Sequence, residues 1–277
     1  MSPRSEPPPP VEPPLVEPVE TDPRKVSTSS TSGGGVSTSS TSGSLVDDAV
    51  YRPLRSGNSL EDTVARLMQT IRLGVVAPGQ ALPSERELAL RFSVSRDTVR
   101  EAIRELADAG YLASRRGRYG GTFVSDPLPH PAASAATLPT SAELDDILGL
   151  RDILEVGAAR AAAARSLDAA ERAALWTRLR EVAASGTADY RRLDSRLHLT
   201  IAEVVGVPSL VTLMADNRSR INELLDSFPL LARNIEHSNR QHEQIVLAIL
   251  AGDAEGATEA MREHLEGSGA LLRGFLG

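Results

Sequence analysis

Hydrophobic residues recur at helical spacing in three consecutive segments that begin near residue 59. Residues 59–74 place their apolar side chains on one face, which predicts a helix ending at a glycine. Ser84, with Glu87 three positions later, has the capping-box pattern that starts a second helix. Residues 95–110 predict a third. Two short β-type runs then flank a basic, glycine-rich tip, so the segment reads helix, helix, helix, hairpin wing.

From Glu143 to the end almost the whole chain has helical periodicity and no strand-like alternation. It predicts an all-α antiparallel bundle and, with the first part, a mainly α protein. The predicted helices are about six: 143–166, 168–185, 187–205, 208–228, 232–251 and 253–275.

Four segments of different composition follow one another along the chain. Residues 1–50 are rich in Pro, Ser, Thr and Gly and predict a disordered tail. Residues 51–125 form the predicted winged helix-turn-helix, 126–141 a proline-containing linker, and 142–277 the bundle. There is no cysteine, which excludes disulfides and thiolate metal ligands. Without a signal sequence or a spanning apolar run, we expect a cytoplasmic protein with no membrane contact.

The net charge of −7 conceals a basic module. Residues 51–125 contain twelve Arg and eight acidic residues, giving +4, whereas the segments before and after it carry −4 and −7. Arg96 and Arg100 share a face of the third helix, apart from its apolar stripe, and Arg96 lies in the first turn, where the helix dipole disfavours a cation. A cation is favourable in this turn if the turn faces an anion, as the N-terminus of a helix in a DNA groove does. The placement therefore favours DNA binding. The alternative is an ordinary solvated, Arg-rich face.

Three of the five histidines lie beside apolar stripes of predicted helices. His198 follows Asp194 by one helical turn, so the two side chains meet on one face, and His242 and His264 lie on two further helices. One carboxylate and three imidazoles suit a divalent metal such as Zn²⁺, with Ni²⁺ or Mn²⁺ as alternatives. Histidines satisfied within the core are the competing interpretation.

The segment "PGQALPSERELALRFSVSRDTVREAIRELADAGYLASRRGRYGGTFV" resembles the winged helix-turn-helix of the GntR family of bacterial transcription regulators. The "LPSERELA", "VSRDTVREAIREL" and "GGTFV" elements occur in the family's order and spacing. The resemblance implies contacts to DNA phosphates, base edges and the minor groove from Arg86, Ser95, Arg96, Thr98, Arg100, Arg118 and Gly121.

The bundle resembles the helical effector domain of the FadR subfamily of GntR regulators, through "LRDILEVGAARAAA", "DSRLH", "HEQIVLAILAGDAEGA" and "MREHL". The resemblance implies metal ligation by Asp194, His198, His242 and His264. It also implies a small carboxylate effector, for which Arg151, Asn217 and Arg218 are the candidate binding residues.

Together these features predict a ligand-responsive DNA-binding regulator, a homodimeric repressor that binds a palindromic double-stranded operator and is not an enzyme. Two alternatives remain open. A His/Asp metal with open coordination positions could activate water in a hydrolase-like enzyme, or the metal could serve a purely structural role.

Overall fold

The structure, a computed structural model, describes residues 44–53, 59–117, 120–129, 139–226, 230 and 232–276. The part predicted to bind DNA, residues 59–124 and named the DNA-binding part after that prediction, contains three helices and a two-stranded antiparallel hairpin, as the sequence predicts. These follow a short first helix, and the elements are α1 (Leu45–Val50), α2 (Ser59–Arg72), α3 (Glu85–Phe92), α4 (Arg96–Asp108), β1 (Leu112–Arg115) and β2 (Gly121–Val124).

Serine caps fix the two helices of the helix-turn-helix. The Ser84 hydroxyl accepts from the Glu87 backbone N–H, and the Ser95 hydroxyl accepts from that of Thr98 (3.0 Å). Each cap satisfies an otherwise orphaned donor in the first turn. The apolar stripe of α4 is buried against α2, α3 and β1, so its remaining faces are free to carry polar groups.

The wing pairs Leu112 with Val124 and ends with Arg115 opposite Gly121. A Cβ at Gly120 would lie 2.5 Å from the Arg115 carbonyl oxygen, so the turn back into β2 needs a glycine there. The Arg115 guanidinium lies over the Phe123 ring, 4.5 Å from its centroid.

Residues 45–50 form α1, whereas the sequence pattern assigns them to the N-terminal tail. Val46, Ala49 and Val50 are buried in the core of the C-terminal helical bundle, against its helices α7 (Tyr190–Val205) and α8 (Pro208–Leu225). Six residues are too few for a periodicity to emerge from the sequence, and their burial depends on helices far along the chain. The other tail residues, 1–43, lie outside the described residues.

The effector part is a bundle of six helices, close to the predicted bounds. Thr140 with Glu143, and Asp168 with Glu171, form complete capping boxes at the first two. The helices are α5 (Ser141–Ala163), α6 (Ala169–Ala183), α7 (Tyr190–Val205), α8 (Pro208–Leu225), α9 (Ala232–Ala251) and α10 (Ala254–Leu276). No helix in the described ranges is both long and apolar enough to cross a membrane.

The bundle core is aliphatic and centres on α7. Its Leu197, Leu199, Ile201 and Ala202 are at most 1% exposed, so this helix is buried on more than one face. Polar side chains on α7 therefore face neighbouring helices, where each needs a partner.

Candidate functional site

Asp194, His198, His242 and His264 converge from α7, α9 and α10. Each offers one ligand atom, and these atoms lie within 4.8 Å of one another. The His242 Nε2 atom is 3.2 Å from Asp194 Oδ1 and 3.3 Å from His198 Nε2. All three histidines are at most 5% exposed. The helical spacing thus brings together one oxygen donor and three buried nitrogen donors.

Acceptors behind two of the imidazoles favour the tautomer that a metal requires. His198 Nδ1 lies 2.5 Å from Glu155 Oε2, and His264 Nδ1 lies 3.3 Å from Gln241 Oε1. A proton held on Nδ1 leaves the Nε2 lone pair free for a ligand, which is the usual arrangement behind a metal-bound histidine. The residues present therefore fit a divalent metal.

Burial favours the neutral form of two of the imidazoles, those of His198 and His264. It lowers the pKa of His198, with the neighbouring Arg218 charge adding to the effect. Burial also holds the pKa of His264 well below its usual range, and proximity to His242 and His198 lowers it further. Neutral imidazole is the form that ligates metals.

A buried network of two carboxylates and two guanidiniums surrounds the cluster. Arg218, 1% exposed, donates to Glu155 Oε1 (3.1 Å) and to Asp194 Oδ2, while Asp194 Oδ1 faces the histidines. Arg151 donates to Glu155 (3.2 Å) and to the Ser268 hydroxyl (2.7 Å). Burial alone would raise the pKa of Asp194, but Arg218 and the histidines hold it well below its usual value. With neutral imidazoles the network is electrically neutral.

The sequence does not single out Glu155 as a site residue. It suggests only that Glu155 or Asp152 could pair with Arg151 on the surface, yet Arg151 and Glu155 are 3% and 1% exposed. The one available signal was an acid and a base spaced i, i+4, and the same helix carries several other charged residues from which this pair does not stand out.

A cavity of about 310 Å³ opens beside the cluster. Asp194 and His264 form part of its wall, as does Arg151, one of the predicted effector residues. The two others lie outside the lining: Asn217 donates to the Ile147 carbonyl (3.0 Å), and Arg218 is held between the two carboxylates. Polar lining residues that the sequence did not single out are Tyr190, Arg191, Asn222, Asn234, Ser238, Gln241 and Ser268.

The predicted DNA-contacting residues that the structure describes lie in the first two turns of α3 and α4, at the N-cap of α4, and at the start of β2. Arg86 and Arg96 are exposed, and Gly121 is exposed at the start of β2. Arg100, also exposed, is held by Asp97 (2.9 Å) and Glu85 (3.1 Å), while the Ser95 and Thr98 hydroxyls lie 2.8 Å apart. Arg118 lies outside the described residues.

Asp216 on α8 joins the bundle to the DNA-binding part. Its carboxylate accepts from Arg52 (2.5 Å) and from Arg66 (3.3 Å) and Gln69 (3.2 Å) of α2. The Gln69 amide also donates to the Ala215 carbonyl (3.1 Å). Asp216 lies two residues before Arg218, so the same helix contacts both the buried network and the DNA-binding part.

A winged helix-turn-helix joined to a helical bundle with an internal cavity is the arrangement of a ligand-responsive transcription regulator. The family comparisons agree, since the matching domains and relatives identify a transcription regulator and not an enzyme. Residues 60–124 match the family "Bacterial regulatory proteins, gntR family", and residues 146–267 match the FCD domain, the FadR-type C-terminal domain. The chain belongs to the GntR family, which confirms the predicted family and fold class.

Several relatives cover most of the chain. RmpR of Mycobacterium gastri is 32% identical over 228 residues, which span 78% of this chain and 81% of RmpR. The HTH-type transcriptional repressor NanR of Cronobacter sakazakii is 30% identical, spanning 77% of this chain and 85% of NanR. The HTH-type transcriptional regulator LutR of Bacillus subtilis is 28% identical, spanning 74% of this chain and 97% of LutR.

Among solved structures, E. coli McbR/YncC superposes with a TM-score of 0.50 at 20% identity, covering 79% of this chain and 99% of that one. This likeness supports the fold alone.

Proposed function

We propose that this GntR-family regulator binds a divalent metal through Asp194, His198, His242 and His264, and a small carboxylate in the adjoining cavity. The observation that carries the proposal is the position of the four-residue cluster in the cavity wall, where an effector could reach the metal. Binding there would alter affinity for operator DNA. The homology to NanR, which is named a repressor, favours repression as the sign of regulation.

The donor set narrows the choice of metal. Three imidazoles and one carboxylate suit Zn²⁺ best, and Ni²⁺ and Mn²⁺ accept the same donors. A Zn²⁺ ion held by four protein ligands can expand its coordination number to five and so accept one effector atom. An octahedral Ni²⁺ or Mn²⁺ ion would leave two coordination positions open for an effector. When bound, the metal supplies a Lewis-acidic point for an anionic oxygen.

The charge balance favours an anionic effector. The network of Asp194, Glu155, Arg151 and Arg218 is neutral with neutral imidazoles, so a divalent ion brings the site to a net +2 in a buried setting. A carboxylate reduces this charge, and Arg151 in the cavity wall offers it donors. We therefore assign effector binding to Arg151, with Arg218 and Asn217 supporting the wall from behind.

We assign operator binding first to the exposed arginines near the N-termini of α3 and α4, which are Arg86, Arg96 and Arg100. The further residues assigned to it are Ser95, Thr98 and the wing residues Arg118 and Gly121. Free backbone N–H groups of a helix N-terminus and arginines together suit phosphates and base edges.

Exposed apolar side chains support a homodimer. Leu150 and Ile153 of α5 are 36% and 72% exposed, and Leu213 of α8 is 49% exposed. Burying such residues against a second copy removes apolar surface from water. A two-fold dimer would present two α4 helices to the half-sites of a palindromic operator.

Metal analysis and DNA binding together test the proposal. Untagged protein should contain one metal per chain, and His242→Ala should lack it. Carboxylates should shift the melting temperature only of the metal-loaded wild type, and the active carboxylate should change operator affinity at least tenfold. A metal that is retained while no carboxylate shifts melting or DNA binding would indicate a structural metal and refute the sensing role.

A further inference from the structure

A second cavity, of about 460 Å³, lies at the junction of the DNA-binding part and the bundle. Its wall is formed by Gly74, which follows α2, and by the end of α6 and the start of α7. Nothing in the proposed metal and effector site uses this space, because it adjoins α7 residues other than Asp194 and His198.

Three arginines line this junction cavity: Arg178, Arg192 and Arg196. Two acids accompany them, and each is engaged locally. Arg178 pairs with Glu181 (2.7 Å), and Arg192 pairs with Asp189 (2.8 Å). The lining therefore carries a net positive charge.

Unlike Arg178 and Arg192, Arg196 has no ion-pair partner among the described residues. It is only 9% exposed, and within the described ranges its side chain makes no hydrogen bond and no ion pair; its Nη1 is buried without a partner. The nearby Asp47, Glu203 and Glu181 act on it only at longer range. Arg192 also has a buried Nε without a partner. A buried guanidinium with unused donors is unfavourable unless an anion satisfies it.

Packing against the backbone holds these side chains in place. A Cβ at Gly74 would lie 2.7 Å from Arg192 Cγ and 3.1 Å from Arg196 Cγ, so both arginine stems lie directly against this turn. Gly74 has φ +66°, which also favours glycine. In addition, α7 begins at the cavity, and its N-cap residue Asp189 makes no side-chain capping bond. The positive end of the helix dipole therefore adds to the arginine charge.

We propose that the junction cavity binds a phosphate group, held chiefly by Arg196 with Arg192 and Arg178. A tetrahedral oxyanion offers enough acceptor oxygens to engage more than one guanidinium fork, and arginine suits phosphate geometry. The cavity is large enough for free phosphate or for a phosphate monoester. Bound there, the anion bridges α7 to the turn that follows α2, and so fixes the DNA-binding part against the bundle.

Isothermal titration of inorganic phosphate into the full-length protein tests this site. EDTA is present throughout and ionic strength is held constant with chloride, so that metal-dependent binding is excluded. We expect one phosphate per chain. Arg196→Gln should weaken binding at least tenfold, and Arg178→Gln, at a more exposed position, several-fold. The control Arg160→Gln removes the same charge from an exposed pair with Glu255 and should stay within twofold of wild type.

Thermal melts guard against misfolding of the variants. Arg196→Gln should melt within a few degrees of wild type without phosphate, but lose the rise in melting temperature that phosphate gives the wild type. If Arg196→Gln melts much lower than wild type, the test relies instead on Arg178→Gln, whose phosphate affinity should still fall several-fold.

A parallel titration with glucose 6-phosphate identifies the source of the phosphate group. Tighter binding than that of inorganic phosphate indicates a monoester, and equal or weaker binding indicates free phosphate. The proposal is overturned if wild type binds neither, if the Arg178 and Arg160 variants bind equally well, or if Arg151→Gln abolishes binding. The last result would place the anion in the effector cavity.

Discussion

Arg218→Met removes the charge that links the two buried carboxylates of the effector site. Arg218 is 1% exposed and donates to Glu155 and Asp194, and methionine fills similar space without a charge. Removing one partner of a buried pair costs about 3–5 kcal/mol, because the other is left buried and uncompensated. Arg151 still contacts Glu155 at 3.2 Å, so we expect the lower end, about 3 kcal/mol.

At about 2–4 °C per kcal/mol for a domain of roughly this size, the melting temperature should fall by about 6–12 °C. Circular dichroism melts in EDTA measure this fall. Adding Zn²⁺ should raise melting more in the variant than in wild type, since a dication compensates the carboxylate that Arg218 no longer neutralises.

The matched control is Arg273→Met, which breaks the exposed pair of Arg273 with Asp145, whose side chains are 56% and 65% exposed. Surface pairs contribute about 0–1 kcal/mol, so this variant should melt within about 4 °C of wild type. Equal melting temperatures for the two variants would refute the assignment of Arg218 as the counter-ion of the site.

Four further outcomes follow from the sites. His242→Ala should lower Zn²⁺ affinity at least a hundredfold by competition against a chelating dye, and retention of wild-type affinity would contradict the ligand set. Arg96→Ala with Arg100→Ala should abolish binding to genomic fragments selected by the wild type while leaving melting unchanged, since both residues are exposed; unchanged binding would remove them from the interface. Metal and effector together should change operator affinity by a smaller factor in Asp216→Asn than in wild type, while the metal affinity stays the same. An unchanged factor would show that the contacts of Asp216 do not couple the effector site to the DNA-binding part. Urea titrations of metal-free protein should show stability falling as pH drops below about 6.5, because the folded pKa of His264 lies well below its usual value and the unfolded chain binds that proton first; stability that is flat or rises on acidification would contradict this.

Local periodicity was enough to predict the helices and the inward histidines, because each signal lies within a few turns of one element. Asp194 and His198 are one turn apart, and His242 and His264 each sit in an apolar stripe. The role of Glu155 was not predictable in this way, since it depends on how α5 packs against α7 and α8. Residues 45–50 were misassigned for the same reason: too short for periodicity, they are helical and buried because α7 and α8 cover them.

The helices α7 and α8 each have one side at the proposed effector site and the other at the junction, and we propose that this arrangement couples effector binding to the DNA-binding part. On α8, Arg218 contacts Asp194 while Asp216, about 200° around the helix, holds α2 through Arg66. On α7, Asp194 faces the cluster while Arg196 lies against the turn after α2. Any ligand that reorients the Asp194 carboxylate acts on both helices at once, because Arg218 is bonded to it. We propose that a rigid shift of α7 or α8 would be transmitted through these side-chain contacts, so that α2 would move with the two helices. The effector needs no contact with the DNA-binding part; it needs only to favour one packing of α7 against α8, by an amount set by its differential affinity for the two arrangements.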